Sequence, residues 1–283
     1  MFDAQKIIEK IRGMASDYLG VYNLKSVILG MSGGIDSAVV AALMSPVCRQ
    51  TNIKLIGYCL PSSSNTNKES DRAIRVGKSL CNIFKIVDLD EYGVTNEFVM
   101  DGDERYPVTN DSIELKIRRG NIKARLRMIY LYDKAAKHNG LVLSTDNYTE
   151  YLLGFWTLHG DVGDLGIIQG LWKTEVYNVA NYILRHEMEE GSELYKGFLD
   201  TINAVPTDGL GITNSDLDQL GANSYETVDN ILKQFMSENT PMEDVRMLLE
   251  HPVIIRHDNT HFKRSNPVNF MRKDIDLSEC EAP

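Results

Sequence analysis

One stretch restricts the possible folds of this chain more than any other: Gly30-Met31-Ser32-Gly33-Gly34-Ile35-Asp36-Ser37. An apolar run, Ser26-Val27-Ile28-Leu29, stops at Gly30, and a helical stretch, Ser37-Ala38-Val39-Val40-Ala41-Ala42-Leu43-Met44, begins at its far end. A strand that ends in glycines and runs straight into a helix is suited to holding a phosphate. Glycine permits φ > 0 and a close backbone approach, and the unpaired N–H groups of a helix start point at the anion. Ser32 and Ser37 add hydroxyl donors, and Asp36 puts a carboxylate where a metal bridging phosphates would stand. No Gly-Lys-Ser/Thr follows, which rules out the Walker form. The third glycine of the dinucleotide fingerprint is also missing. A plain glycine turn is the competing reading, and it gives no reason for the two serines and the aspartate.

The flanking sequence supplies strands and helices in alternation. Ile7, Ile8, Ile11, Met14, Ala15, Tyr18 and Leu19 fall at helical spacing, so a helix over 3–19 precedes the first strand. Further strands are expected at 54–60 and 84–89, with a polar loop at 62–68 and a helix at 69–80 between them. Residues 91–119 read as an exposed loop around Asp101-Gly102-Asp103-Glu104, and 122–136 as a helix. Leu141-Val142-Leu143-Ser144 is the fourth strand, delivering Thr145-Asp146-Asn147 to a helix that contains Glu150. A glycine-rich turn at 160–170 leads to a helix at 173–185, and short helices are expected at 214–220, 225–237 and 241–250. Such alternation predicts an α/β fold with a doubly wound parallel sheet, ligands binding at the carboxyl ends of the strands. The chain reads as one domain over 1–283: the N-terminal helix, an α/β core over about 24–210, and a helical part over about 211–283.

Composition sets outer limits. Forty acidic residues against thirty basic ones give a net charge of −10, so no nucleic-acid partner is expected and an anion site must be built locally. Cys48, Cys59, Cys81 and Cys280 lack metal or redox spacing, as suits structural thiols in a reducing cytoplasm. The charged, amphipathic start does not read as a leader, and no apolar run is long enough to span a bilayer, so no membrane partner is expected.

Residues 32–37 resemble the S-G-G-x-D-S loop of the N-type ATP pyrophosphatases, which cleave ATP between its α- and β-phosphates. The run Ser144-Thr145-Asp146-Asn147-Tyr148-Thr149-Glu150, with Gly154-Phe155-Trp156-Thr157 and Gly160-Asp161, is similar to the NAD synthetases within that group. Lys123-Ala124-Arg125-Leu126-Arg127-Met128, Leu171-Trp172-Lys173-Thr174, Val205-Pro206-Thr207-Asp208-Gly209-Leu210, Lys263-Arg264 and Pro267 follow that family's order. The resemblance covers about residues 5–270. It implies a Rossmann-like sheet of the adenine nucleotide alpha hydrolase type. It also implies a two-step reaction in which ATP adenylates the nicotinate carboxylate of deamido-NAD, releasing pyrophosphate, and ammonia then displaces AMP.

The resemblance assigns ATP binding to Gly30, Met31, Ser32, Gly33, Gly34, Ile35, Asp36, Ser37, Thr145, Lys173 and Thr207. Asp36 and Glu150 are implied ligands of Mg²⁺, a hard cation that takes oxygen donors. Deamido-NAD falls to Arg125, Asp164 (with a one-residue gap), His261 and Lys263. Catalytic roles fall to Lys173 and to Asp161, the aspartate that receives ammonium; a carboxylate there attracts the cation and can help to remove its proton. A homodimer with the helix around Arg125 at its interface is also implied. Tyr148, Tyr151, Phe155 and Trp156 read as helix packing.

Four places depart from the family pattern. Cys59 stands for an arginine, Asn65 for a glutamine and Leu158 for a lysine, while Phe262 takes the histidine position with His261 one residue earlier. The synthetase motifs start almost at once, leaving no place for an amidase domain, so ammonia is the expected nitrogen donor. Two alternatives stay open: adenylation of a different acceptor by the same loop, and a non-catalytic nucleotide-binding module.

Overall fold

The computed structural model describes residues 2–61, 66–89, 113–161, 163–206 and 215–270. Helix α1 (Ala4–Val21) opens the chain, with the Asp3 carboxylate accepting from the Lys6 N–H and Ile8, Ala15 and Leu19 buried. Then follow β1 (Ser26–Gly30), α2 (Ile35–Thr51), β2 (Lys54–Cys59), α3 (Asn67–Leu80), β3 (Ile83–Ile86), α4 (Ile113–Lys137) and β4 (Gly140–Val142). The four strands form one parallel sheet in the order β3-β2-β1-β4. β1 thus has β2 on one side and β4 on the other, the switch point at which a doubly wound sheet opens a crevice.

Side chains alternate across β1 and find a core on each face. Val27 and Leu29 join α1, α2, α3, α6 (Lys173–His186) and α7 (Glu193–Ile202), while Ile28 meets Tyr130, Leu131 and Ala135 of α4. All three β1 side chains are fully buried. At about 1.5–3 kcal/mol for each such aliphatic group, against about 1 kcal/mol net for a hydrogen bond, packing of β1 fixes the base of the glycine loop.

A second core, made largely of helices, lies beyond the sheet. It joins Leu152 and Leu153 of α5 (Tyr148–Leu153) to Leu220 of α8 (Asp216–Leu220), Val228 and Leu232 of α9 (Tyr225–Met236), and Val253 and Ile254 of α11 (Pro252–Asn259). Two short helices, α10 (Met242–Leu248) and α12 (His261–Arg264), complete the described elements.

Several element expectations are corrected. Residues 113–119 are the first turns of α4 rather than loop; residues 90–112 lie outside the described residues, as do 62–65 of the polar loop. β3 starts at Ile83 and stops at Ile86, opposite the last residue of β2. β4 stops at Val142, because Leu143 bridges to Leu165. Helices α7, α11 and α12 were not foreseen.

Candidate active site

The loop after β1 closes on itself. Ser37 Oγ donates to the Gly34 carbonyl (3.1 Å) and accepts from the Ser32 N–H (3.3 Å), and Ser32 Oγ accepts from the Gly34 N–H (3.2 Å). Ser37, expected to donate to the anion, is buried and spends its hydroxyl on the loop. No side chain caps α2, and its first backbone bond runs from the Ala38 N–H to the Gly34 carbonyl. The N–H groups of Ile35, Asp36 and Ser37 therefore remain available to an anion.

Asp36, Glu150 and Lys173 meet at the foot of this loop. Lys173 Nζ lies 2.6 Å from Asp36 Oδ2 and 2.8 Å from Glu150 Oε1. The lysine side chain is 3% exposed and the carboxylates 16% and 18%, so the ammonium is enclosed while the acids reach the cleft. Burial alone would lower the pKa of Lys173, but the two carboxylates outweigh it and hold the group well above its usual range. Burial and then the Asp36 charge push the Glu150 carboxyl up to about 7, against the pull of Lys173. Nearby, burial with Glu150 and Asp161 pushes Asp146 up to about 8.

Residues that sequence reasoning passed over hold this trio in place. Asn147 Nδ2 donates to Asp36 Oδ1 (2.9 Å), while its Oδ1 accepts from the Glu150 N–H (2.9 Å) and caps α5. One amide thus spaces the two acids. Asp229 of α9 accepts from Thr149 Oγ1 (2.6 Å) and from the Thr174 N–H and hydroxyl, and Thr149 accepts from the Lys173 N–H (2.8 Å). Asn147 had a sequence signal, an N-cap residue three before a glutamate. Asp229, eighty residues from Thr149, had none.

The C-terminal helices finish the other end of α5. Its last carbonyls accept from four basic side chains: Leu152 from Arg264 and the His257 ring, Leu153 from Arg256 (3.0 Å), and Gly154 from Lys263 (2.7 Å). Lys263 also donates to the Trp156 carbonyl and lies over the Trp156 ring. Gly154 ends α5 at φ +60°, and a Cβ there would approach Thr260 to 2.5 Å, so the close seating of this segment requires glycine.

An open cleft of about 320 Å³ runs along the carboxyl ends of β1, β2 and β4. Gly30, Met31, Ser32, Gly34, Ile35, Asp36, Thr145, Glu150, Asp161 and Lys173 line it, bringing together most of the expected ATP-site, metal and catalytic residues. Asp161 Oδ2 accepts from the Thr157 N–H (2.8 Å). Gly33 faces Glu69 instead of the opening, and Thr207 lies outside the described residues. Cys59 also lines the cleft, its thiol pKa raised by burial, which makes it inert.

The residues expected to hold deamido-NAD are dispersed. Arg125 is exposed and donates to the Leu158 carbonyl (3.2 Å). Asp164 accepts from the Val142 N–H (2.8 Å) and the Tyr132 hydroxyl (3.0 Å), extending the edge of β4. His261 is exposed on α12 and Lys263 is bound to α5 as described. None of the four lines the cleft. Of the aromatic cluster, Tyr148, Tyr151 and Phe155 pack against the helical core, as expected, whereas Trp156 lies under Lys263 with its Nε1 lacking a hydrogen-bond partner among the described residues.

Two oxygen donors converging on one cation suit a hard divalent metal, and the Lys173 ammonium shows that a cation is held between them. Among the described residues there is no cluster of three or more metal-binding side chains, so water and phosphate oxygens would have to complete such a site. Among the same residues no helix is long and apolar enough to cross a membrane.

Comparison with known proteins identifies the family and the fold. The NAD synthase family model matches residues 7–267. The NH(3)-dependent NAD(+) synthetase of Thermococcus sibiricus is 31% identical over 253 residues, covering 89% of each chain. The solved NH3-dependent NAD synthetase of Campylobacter jejuni superposes with a TM-score of 0.67 at 27% identity, over 95% of this chain and 100% of that one. The NMN synthetase of Francisella tularensis shares the fold, with a TM-score of 0.73 at 24% identity over 95% and 99% of the two chains. With a family model over residues 7–267 and a relative 31% identical over 89% of its length, the chain belongs to the NAD synthase family.

Proposed function

We propose that this chain makes NAD from deamido-NAD, ATP and ammonia, with AMP and pyrophosphate as the other products. The observation that carries the reading is the Lys173 ammonium shared by Asp36 and Glu150 beneath a phosphate loop with open N–H groups. A carboxylate and an amine do not condense in water until a carboxylate oxygen becomes a leaving group. The loop N–H groups fix the ATP phosphates, with Thr145 holding the nucleotide, for attack by the nicotinate oxygen on the α-phosphorus. The bond to the β-phosphate breaks, and Lys173 supplies positive charge for the departing pyrophosphate. Asp161, at the cleft wall, holds ammonium and takes its proton, so that ammonia attacks the carboxyl carbon and AMP leaves. Asp36 and Glu150 would hold Mg²⁺, which supplies Lewis-acid polarisation of phosphate oxygens when bound.

The same proposal gives Thr207 to the ATP phosphates and Arg125, Asp164, His261 and Lys263 to deamido-NAD. It treats the chain as one synthetase domain acting in the cytoplasm. It pairs two copies through α4, the helix that carries Arg125 and on which Ile113, Ile117 and Ile129 are 62%, 39% and 58% exposed. A second reading, adenylation of a different acceptor, is favoured by one observation: Asp164 and Lys263 already serve the chain's own backbone. The test is product analysis with ATP, Mg²⁺, ammonium and deamido-NAD. NAD formed with one pyrophosphate per turnover is expected. Pyrophosphate release only with another carboxylate would transfer the case to the second reading, and ATP binding without turnover would leave a binding module.

A further inference from the structure

Arg72 lies in the second turn of α3 and lines the cleft beside the phosphate loop. Its Nε donates to the Gly33 carbonyl at 2.8 Å. The contact follows from a close approach of two backbones. Gly33 has φ +81°, and a Cβ on it would lie 2.1 Å from the Glu69 carbonyl oxygen, so the first turn of α3 rests directly on the loop. A complete capping box, Thr66 with Glu69, holds that turn rigid. The guanidinium therefore starts from a fixed point. With Nε occupied, its two Nη groups have no partner among the described residues.

Charge argues in the same direction. Lys173, the ammonium beneath the loop, already divides its charge between two carboxylates. Among the described residues, a triphosphate on the loop N–H groups would meet those acids with no further fixed cation adjoining the loop other than Arg72. Among the described residues Arg127 is the other arginine lining the cleft, and it is tied by its Nε to the Leu60 carbonyl (3.2 Å), near the end of β2. Arg72 adjoins the loop itself. A planar guanidinium held by one N–H and presenting the remainder of its fork is suited to bidentate phosphate binding.

We propose that Arg72 is a phosphate-binding residue for the β- and γ-phosphates of ATP and for the pyrophosphate that leaves, positioned by the seating of α3 on Gly33. The inference rests on the ATP reading above and adds a residue that this reading does not use. The alternative is that Arg72 only latches α3 to the loop.

The test is calorimetric titration of inorganic pyrophosphate with Mg²⁺, and separately of AMP, into the full chain and the variants Arg72→Gln and Arg72→Lys. Glutamine keeps an N–H donor for Gly33 and removes the charged fork. Arg72→Gln should weaken pyrophosphate about 10- to 100-fold, the range of one charge-assisted contact, with AMP affinity and unfolding temperature unchanged. Arg72→Lys should recover part of the loss. Unchanged pyrophosphate affinity, or equal losses for pyrophosphate and AMP, would reduce Arg72 to a latch, and a wild-type chain that does not bind pyrophosphate would also overturn the proposal. Arg72-dependent pyrophosphate binding in a chain that makes no NAD would instead sink the proposed function and leave this inference standing.

Discussion

Lys173→Met removes the ammonium from between Asp36 and Glu150 and keeps most of the buried stem. The side chain is 3% exposed, with acids at 2.6 and 2.8 Å that are themselves mostly covered. Removing one partner of a buried pair costs about 3–5 kcal/mol, and because both acids retain some contact with water the lower figure applies. At about 2–4 °C per kcal/mol, the variant should unfold roughly 6–12 °C below wild type in chelator. The backbone of residue 173 keeps its bond to Thr149, so the loss is electrostatic rather than a collapse of α6. That distinction can be measured. With the lysine gone, the two carboxylates lack a counterion, and Mg²⁺ without nucleotide should stabilise the variant more than wild type. A metal at 100 times its Kd returns about 2.7 kcal/mol, most of the loss. The assay is thermal unfolding against Mg²⁺ concentration, alongside NAD formation, which should be abolished. A variant within about 2 °C of wild type in chelator, less than 1 kcal/mol on the same scale, or one indifferent to Mg²⁺, would refute the counterion argument.

Asp161→Asn should slow ammonium-limited NAD synthesis on the order of 100-fold, the scale of one proton-transfer group, while ATP–pyrophosphate isotope exchange continues; equal loss in both assays would remove Asp161 from the ammonia step. Asp146, at about 8 in the fold and about 3.9 in an unfolded chain, binds a proton when folded that it lacks when unfolded. Its contribution to stability is present at low pH and is lost as pH rises through that window. Unfolding temperatures should therefore decline from pH 5 to pH 8 less steeply in Asp146→Asn than in wild type, and parallel curves would show that Asp146 does not carry the dependence.

The glycine loop, the sheet and most of the core helices were legible because each left a local mark: a periodicity, a cap or a glycine at a strand end. The first turns of α4 left none, since Ile113, Leu115 and Ile117 alternate and only Leu115 is buried. The length of β4 was hidden for another reason: Leu165 and the Asp164 carboxylate, not a further strand, take over its edge. α7 carries a signal of its own in Ser192, which caps it by accepting from the Tyr195 N–H. In the site, motif order located Asp36, Glu150 and Lys173 but said nothing of how they touch. Their spacing depends on Asn147 and Asp229, and the second of these acts across eighty residues through a threonine.

The four basic side chains on the end of α5 have a consequence for the order in which the enzyme becomes competent. Glu150 rides on a helix of six residues, too short to persist in water by its own hydrogen bonds. Its last carbonyls are closed by Arg256, His257, Lys263 and Arg264, which leave the ribosome long after Asp36, Glu150 and Lys173 have all been made. The glycine loop can form early, yet the acid that stands opposite Asp36 is not anchored until Arg256, 103 residues beyond Leu153, and the basic residues after it have been made. A nascent chain stopped before α11 and α12 therefore carries the glycine loop without a fixed Glu150, and turnover waits for those helices to arrive.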